Sequence, residues 1–282
     1  MILFRKASDL TDFLLKPRLN RQSIGFVPTM GALHEGHLEL IRVAKKATDL
    51  LVVSIFVNPT QFNDPADFHK YPITIEADIE LLEAAGTDIL FYPTVEDLYP
   101  SGTKELEHYE LGFLETILEG SSRPGHFQGV CQVMNRLLLA VQPNHLFMGQ
   151  KDYQQCMVVK ELCRQENLHL EFHTIPTVRE EDGLALSSRN RRLSTTDRMA
   201  APAIFKCMNM IKDELKPGDT EPLQRKAMQL LQEAGFRVDY VTIADAESLE
   251  PVKDWNGEQP VAVLIAAFLG EVRLIDNLLL TR

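Results

Sequence analysis

Cysteine, cationic residues and long apolar runs are all scarce in this 282-residue sequence, and each shortage excludes a class of protein. The four cysteines, Cys131, Cys156, Cys163 and Cys207, include no CxxC pair, and with eight scattered histidines they form no structural-zinc spacing. They are expected to be reduced and buried. Lys and Arg total 29 against 40 Asp and Glu, a net charge of −11. That balance argues against a nucleic-acid surface, which needs a basic face, but leaves small anionic ligands open where cations gather locally. The longest apolar stretches, "LLVVSIFV" (50–57) and "VAVLIAAFLG" (261–270), fall far short of the roughly 20 residues of a membrane helix. The opening "MILFRKASDLTDFL" brings in charge at Arg5 and has no small-residue cleavage site, so a cytoplasmic address is expected. No internal repeat or low-complexity tract is present.

What the sequence does contain is alternation. "SIGFVP" (23–28) reads as a short buried strand stopped by Pro28, and Gly36 to Thr48 reads as a helix. In that helix Leu40, Ile41, Val43, Ala44 and Ala47 share one side and Glu39, Arg42, Lys45 and Lys46 the other, as a 3.6-residue period requires. "LLVVSIFVNP" is a β-branched strand ended by Asn58-Pro59, "TIEADIELLEAAG" a helix with Gly86 as its stop, and "DILFYP" a strand. Helix 127–142, strand "NHLFMG", helix 153–166 and strand "LHLEFHTIP" continue the series. Strands and helices alternating at this spacing predict an α/β fold with a parallel sheet covered on both faces, and ligands beyond the carboxyl ends of its strands.

After about residue 176 the pattern changes. A helix opening at Ser194-x-x-Asp197 and broken at Pro217-Gly218, a helix over 221–234, the strand "RVDYVTIAD" and two apolar segments predict a small α+β domain. The expected domains are 1–176 and 177–282.

Candidate chemistry falls just after the predicted strands. In "PTMGALHEGH" Gly31 and Gly36 flank four residues as in a phosphate loop, but His37-Leu38 stands where Lys and Ser/Thr belong. A zinc protease motif needs histidines four apart; His34 and His37 are three apart. What survives is a loop opening a helix, where unpaired backbone N–H groups and the positive helix end attract phosphate and two imidazoles donate to it. The plain alternative is a loop histidine and a helix-start histidine satisfied by their neighbours. "GQKDYQQ" (149–155) sets Lys151 toward a polyphosphate, Asp152 toward a ribose hydroxyl or a metal-bound water, and Gln155 toward a polar substrate, or else is a solvated turn. "LALSSRN" (184–190) reads as a mobile phosphate clamp carrying Arg189, while Arg191 and Arg192 read as a solvated face. Gln61 lies in "FVNPTQF", and Arg123 and His126 in "SSRPGHFQGV"; one sheet edge is expected to gather them all.

Together with the closing "RLIDN", these motifs, in this order and over essentially the whole chain, resemble the pantoate–β-alanine ligase (pantothenate synthetase) family. "HEGH" is also similar to the HxGH signature of the wider nucleotidyltransferase superfamily. The resemblance implies a Rossmann-like domain, a smaller C-terminal domain acting as a partial lid, and a homodimer. The implied reaction joins (R)-pantoate to β-alanine through a pantoyl adenylate, with ATP converted to AMP and pyrophosphate in the presence of Mg²⁺. By the same resemblance Met30, Gly31, Ala32, Leu33, His34, Glu35, Gly36 and His37 would line ATP, with His37 the catalytic acid and His34 assisting. Gly149, Gln150, Lys151 and Asp152 would form a second ATP segment, with Lys151 on the phosphate charge. Val178 would touch adenine, Leu186, Ser187, Ser188 and Arg189 would close on the phosphates, and Gln61 and Gln155 would hold pantoate. The family also makes Asp78 a candidate near the metal, although on an acid-rich helix it reads as a solvated residue.

Four positions depart from the family pattern: Thr60 replaces a leucine, Ile73 an arginine, Gln150 a frequent glutamate and Leu186 a methionine. The second weakens any role for a cation there. Two rival functions stay open: a nucleotidylyltransferase that leaves the nucleotide on its product, and a nucleotide-binding protein without turnover.

Overall fold

The computed structural model describes residues 1–63, 68 and 71–280. The chain divides into two compact units, Met1–Gly149 with Gln155–Ile175, and Gln150–Gln154 with the chain from Pro176 onward.

The first unit is built on a six-stranded parallel sheet with β1 (Ile2–Phe4), β2 (Ile24–Thr29), β3 (Leu50–Ile55), β4 (Ile89–Phe91), β5 (His145–Gly149) and β6 (Glu171–Ile175). The spatial order is β1-β4-β3-β2-β5-β6. Chain order therefore reverses across β2 and β5, which makes the carboxyl end of β2 the natural ligand position. Its longer helices are α1 (Ala7–Leu19), α2 (Glu35–Ala47), α3 (Ile75–Ala84), α4 (His126–Val141) and α5 (Tyr153–Gln165).

Strand periodicity sorts the core into two layers. Ile24 and Phe26 of β2, Val52 of β3, Ile89 and Phe91 of β4 and Leu146 and Met148 of β5 pack with α1, α4 and α5 residues such as Leu10, Val130 and Val159. The alternate positions Val27, Leu51, Val53, Leu90 and Phe147 pack with Leu40, Ile41 and Ala44 of α2 and Leu82 of α3. Both faces of the sheet are thus covered, as the alternation predicts. Each fully buried Phe or Leu, such as Phe26 and Leu82 at 0% exposure, contributes roughly 1.5–3 kcal/mol.

Two details differ from expectation. Pro28 does not stop β2, which runs on to Thr29 with Pro28 opposite Ser54. β5 pairs only with Gly25 and Phe26, so at Pro28 one side of the ladder is open and the missing N–H costs no interstrand bond there. The strand β1 and helix α1 also precede the first predicted element. Three residues carry too little period to read as a strand, and β1 exists through its register on β4.

The second unit holds an antiparallel sheet, β7 (Arg237–Asp245), β8 (Val261–Leu269) and β9 (Val272–Leu280), in the order β9-β8-β7. Its helices are α6 (Thr195–Ala200), α7 (Ala203–Glu214) and α8 (Glu221–Glu233). Ile204, Met208 and Ile211 of α7 and Ala227 and Leu231 of α8 bury against Val263, Ile265 and Ala267 of β8. The Ser194 start is present: Ser194 Oγ accepts from the Asp197 N–H at 3.1 Å and donates to its carboxylate at 2.7 Å. The single helix expected after it is instead two, broken at Pro202, whose ring clashes with the preceding turn and whose nitrogen has no proton to donate.

Candidate active site

In the first unit the site begins where β2 ends. Thr29 Oγ1 donates to the Ser54 carbonyl at 2.7 Å and accepts from the Gly31 N–H at 3.2 Å, which starts the turn. Gly31 has φ +80°, and a Cβ there would lie 3.0 Å from an Asp78 carboxylate oxygen and 3.1 Å from Ile55. Ala32 follows at φ +49°, a left-handed conformation that a non-glycine residue holds only when its surroundings enforce it. Asp78 supplies that enforcement. Reaching up from α3, it accepts the N–H of Ala32 at 2.9 Å, the N–H of Leu33 at 2.8 Å and the Thr74 hydroxyl at 3.1 Å.

Asp78 is therefore not a solvated residue. It is 2% exposed, with both oxygens committed to the loop. The sequence carried a signal for this: Ile75, Asp78, Ile79 and Leu82 fall on one helical face, so a carboxylate sits inside an apolar stripe.

At the start of α2, His34 is the N-cap in extended backbone, and its Nδ1 accepts from the Gly36 N–H at 3.2 Å. The His37 Nδ1 accepts from the His34 N–H at 3.4 Å, completing a reciprocal cap with both partners imidazoles. The rings lie 4.1 Å apart. A backbone N–H can only donate, so both Nδ1 atoms are acceptors and each neutral ring carries its proton on Nε2. The expectation of unpaired loop amides fails for five of them, because the N–H groups of Gly31, Ala32, Leu33, His34 and Gly36 bond to Thr29, Asp78, His37 and His34.

A second turn lies at the carboxyl end of β3. Asn58 Nδ2 donates to Thr60 Oγ1 at 3.0 Å, to Gln61 Oε1 at 3.2 Å and to the Gly129 carbonyl of α4 at 3.0 Å, while Asn58 Oδ1 accepts from the Tyr99 hydroxyl at 2.9 Å. Burial raises the Tyr99 phenol above its ordinary pKa, which keeps it a donor. Thr60, the departure from leucine, joins this network through its hydroxyl. His126 fixes the backbone of the turn: its Nε2 faces the Arg123 guanidinium at 3.2 Å and its Nδ1 the Gln61 carbonyl at 2.8 Å. Guanidinium only donates and carbonyl only accepts, so His126 carries its proton on Nδ1.

Gly129 packs α4 directly onto that turn. A Cβ there would lie 2.4 Å from the Thr60 carbonyl oxygen and 2.6 Å from the Gln61 nitrogen. Gln61, buried with its Oε1 held by Asn58, turns its amide nitrogen to the Met30 sulfur at 3.2 Å. The two loops thus meet through Met30 and Gln61. Gln155 lies half-buried in the first turn of α5, directly beyond β5. Ile73 is 76% exposed.

In the second unit the segment 150–152 is held by Asn277 of β9, itself 2% exposed. Asn277 Nδ2 donates to the carbonyls of Gln150 and Lys151, each at 2.9 Å, and its Oδ1 accepts from Gln150 Nε2 at 3.1 Å. Because that amide nitrogen is committed to two carbonyls, Oδ1 must face residue 150, and glutamine donates where glutamate would repel. Lys151 Nζ lies 3.7 Å from the Asp152 carboxylate. Asp276 grips Arg179 at 2.5 and 3.0 Å; burial raises its carboxyl above the ordinary range, opposed by the Arg179 guanidinium. Arg179 pairs with Ala185 in a bridge, and the Leu186 N–H reaches the Val178 carbonyl at 3.0 Å, so this fold-back brings Val178 beside Leu186. Ser187 Oγ then accepts from the Arg189 N–H at 3.3 Å. The motif "RLIDN" thereby gains a reason: its last two residues anchor two of the candidate segments.

A family model described as pantoate-beta-alanine ligase matches residues 2–279 of this chain. The chain is 43% identical to a pantothenate synthetase of Moorella thermoacetica, over 99% of each protein. Its fold is similar to the crystal structure of pantothenate synthetase from Thermus thermophilus, at TM-score 0.89 and 41% identity over 99% of each chain. It is also similar to the pantoate-beta-alanine ligase of Francisella tularensis, solved in complex with beta-gamma ATP and beta-alanine, at TM-score 0.82 and 37% identity over 99% of this chain and 97% of that one.

Proposed function

This chain belongs to the pantoate–β-alanine ligase family, and from that membership we propose how its residues join pantoate to β-alanine at the expense of ATP. The carboxylate of (R)-pantoate is ionised at neutral pH and attacks the α-phosphorus of ATP without a general base. The bond from the α-phosphorus to the bridging oxygen breaks, pyrophosphate leaves, and pantoyl adenylate forms. The neutral amine of β-alanine then attacks the activated carbonyl, loses a proton to solvent, and expels AMP to give pantothenate.

The barrier to the first step is the approach of two anions and the charge building on pyrophosphate, so positioning and positive potential carry it. The single observation behind the assignment is the imidazole cap of α2, which sets both Nδ1 atoms as acceptors. With protons on Nε2, His37 and His34 donate to the leaving phosphates, His37 as the acid and His34 assisting, and the positive end of α2 adds to the same field. Lys151 adds a full charge, and Arg189 closes with Leu186, Ser187 and Ser188 on the phosphates. Met30 to His37 and Gly149 to Asp152 contact ATP, and Val178 meets adenine. Mg²⁺ enters with the substrate as MgATP. Gln61 and Gln155 hold the hydroxyls and carboxylate of pantoate through amides that add no negative charge.

We assign the enzyme to the cytoplasm as a homodimer. The family resemblance supports the dimer, and no helix among the described residues is long and apolar enough to cross a membrane. Sedimentation at several concentrations tests the dimer.

The deciding experiment mixes the protein with MgATP and pantoate, follows pyrophosphate, then adds β-alanine and follows AMP. Pyrophosphate in the first stage and AMP only in the second is the expected result. A stable nucleotidylated product, with no AMP after the amine arrives, would instead identify a nucleotidylyltransferase.

A further inference from the structure

Three metal-ligating side chains converge at the amino-terminal ends of β5 and β6, the opposite end of the sheet from the loops after β2 and β3. Parallel register sets His145 beside Glu171 and Phe147 beside His173. The period of two then puts Glu171 and His173 on the same face as His145. His145 Nδ1 lies 3.1 Å from His173 Nε2, one Glu171 oxygen lies 3.4 Å from His145 Nδ1, and the other lies 3.6 Å from His173 Nε2. Among the described residues this is the group of three whose ligand atoms all fall within 4.8 Å of one another.

We propose that His145, Glu171 and His173 form a binding site for a zinc-class divalent transition metal on the outer strand pair of the parallel sheet. Two metal–ligand bonds of about 2.0–2.1 Å at a tetrahedral angle separate their donor atoms by about 3.3 Å, and the imidazole pair at 3.1 Å and the Glu171 oxygen at 3.4 Å from His145 lie close to that value. Two imidazoles and one carboxylate are the ligand set that zinc takes when a fourth position stays open to water. The same set suits nickel and copper and disfavours magnesium, which demands oxygen ligands.

The frame is already rigid. Asn144 accepts from the Ile24 N–H through its side chain and from the Glu171 N–H through its carbonyl, each at 2.8 Å, locking the starts of β2, β5 and β6 together. The His173 ring stacks on buried Phe147 at 4.5 Å and 11°, which fixes the plane of one ligand. Side-chain exposures of 23% for His145, 26% for His173 and 66% for Glu171 leave the donors reachable from solvent. A metal ion would meet three converging lone pairs that a single shared proton between the rings cannot all satisfy.

The test titrates Zn²⁺ calorimetrically into chelator-treated, tag-free protein in the presence of excess Mg²⁺, with Co²⁺ absorption as a ligand-field readout. One zinc per chain is expected, with affinity at least tenfold weaker in His145→Gln, His173→Gln and Glu171→Gln. Far-UV circular dichroism checks each fold, and the two-thirds-exposed Glu171 supplies a variant with little structural load. Ligation of pantoate by the His145→Gln/His173→Gln double variant should be unchanged. Absence of zinc binding, or wild-type zinc affinity in the double variant, would overturn the proposal.

Discussion

Asp78 spans the backbone N–H groups of Ala32 and Leu33, one carboxylate oxygen to each, at 2.9 and 2.8 Å. That bridge holds Ala32 at a positive φ and so fixes where α2 begins and where His34 and His37 point. Asp78→Asn keeps the size but offers one acceptor oxygen and turns an amide N–H against the second backbone donor. A loss of about 1–3 kcal/mol is expected, the cost of an unsatisfied buried donor, together with a fall in pyrophosphate release. Denaturant unfolding beside the first-stage assay measures both; wild-type values in each would remove Asp78 from the role of loop clamp.

His37→Ala and Lys151→Ala should each slow formation of the adenylate roughly a hundredfold or more, the scale on which lost transition-state donors act. Single-turnover pyrophosphate release reads this directly. If His37→Ala released pyrophosphate at close to the wild-type rate, the leaving phosphates would not depend on that ring.

Gly129→Ala should raise the pantoate KM more than the ATP KM. The added methyl would lie 2.4 Å from the Thr60 carbonyl, so α4 must move away from the turn that carries Gln61, at a cost of about 1–3 kcal/mol for overpacking. Equal effects on both substrates would show that the turn serves something other than pantoate.

Acid should destabilise the fold through its hydrogen-bonded carboxylates. The Ser23 N–H and hydroxyl hold Asp49 below its ordinary range, and the Arg198 guanidinium does the same for Asp182. For a depressed carboxylate the stabilisation is complete above the unfolded pKa, about 4, and is lost as pH falls toward the folded value. The melting temperature is expected to hold from neutrality to about pH 5 and to fall below about pH 4. Asp49→Asn and Asp182→Asn should each flatten part of that fall.

The four cysteines are buried thiols, and desolvation pushes Cys131 up to about 12 and Cys163 to about 11. Thiolate is the reactive form, so a disulfide reagent at pH 8 should label the native protein slowly and the unfolded protein at once. Rapid labelling of the folded protein would indicate local opening of α4 or α5.

The alternation of β-branched strands and amphipathic helices was readable because each element buries one face and its period records which. The same reading failed at Pro28, because a proline is tolerated in a strand where the ladder on one side is open. It failed at Asp78 as well, where acids at 76, 80 and 83 masked the one that points inward. Gly129 and His126 stood in a motif with no stated task, since their work is contact with a turn about 70 residues away in the chain.

The sequence by itself determined the parallel-sheet architecture, the positions of the loops after its strands and, through motif order, the family. Only the tertiary structure decided how the "PTMGALHEGH" amides are used, which ring nitrogens of His34 and His37 carry protons, and that Asn277 anchors the segment of Lys151. It alone paired His145 with Glu171. Periodicity is a local property that residue spacing carries, whereas a hydrogen-bond partner or a strand register is fixed by which distant surfaces pack together.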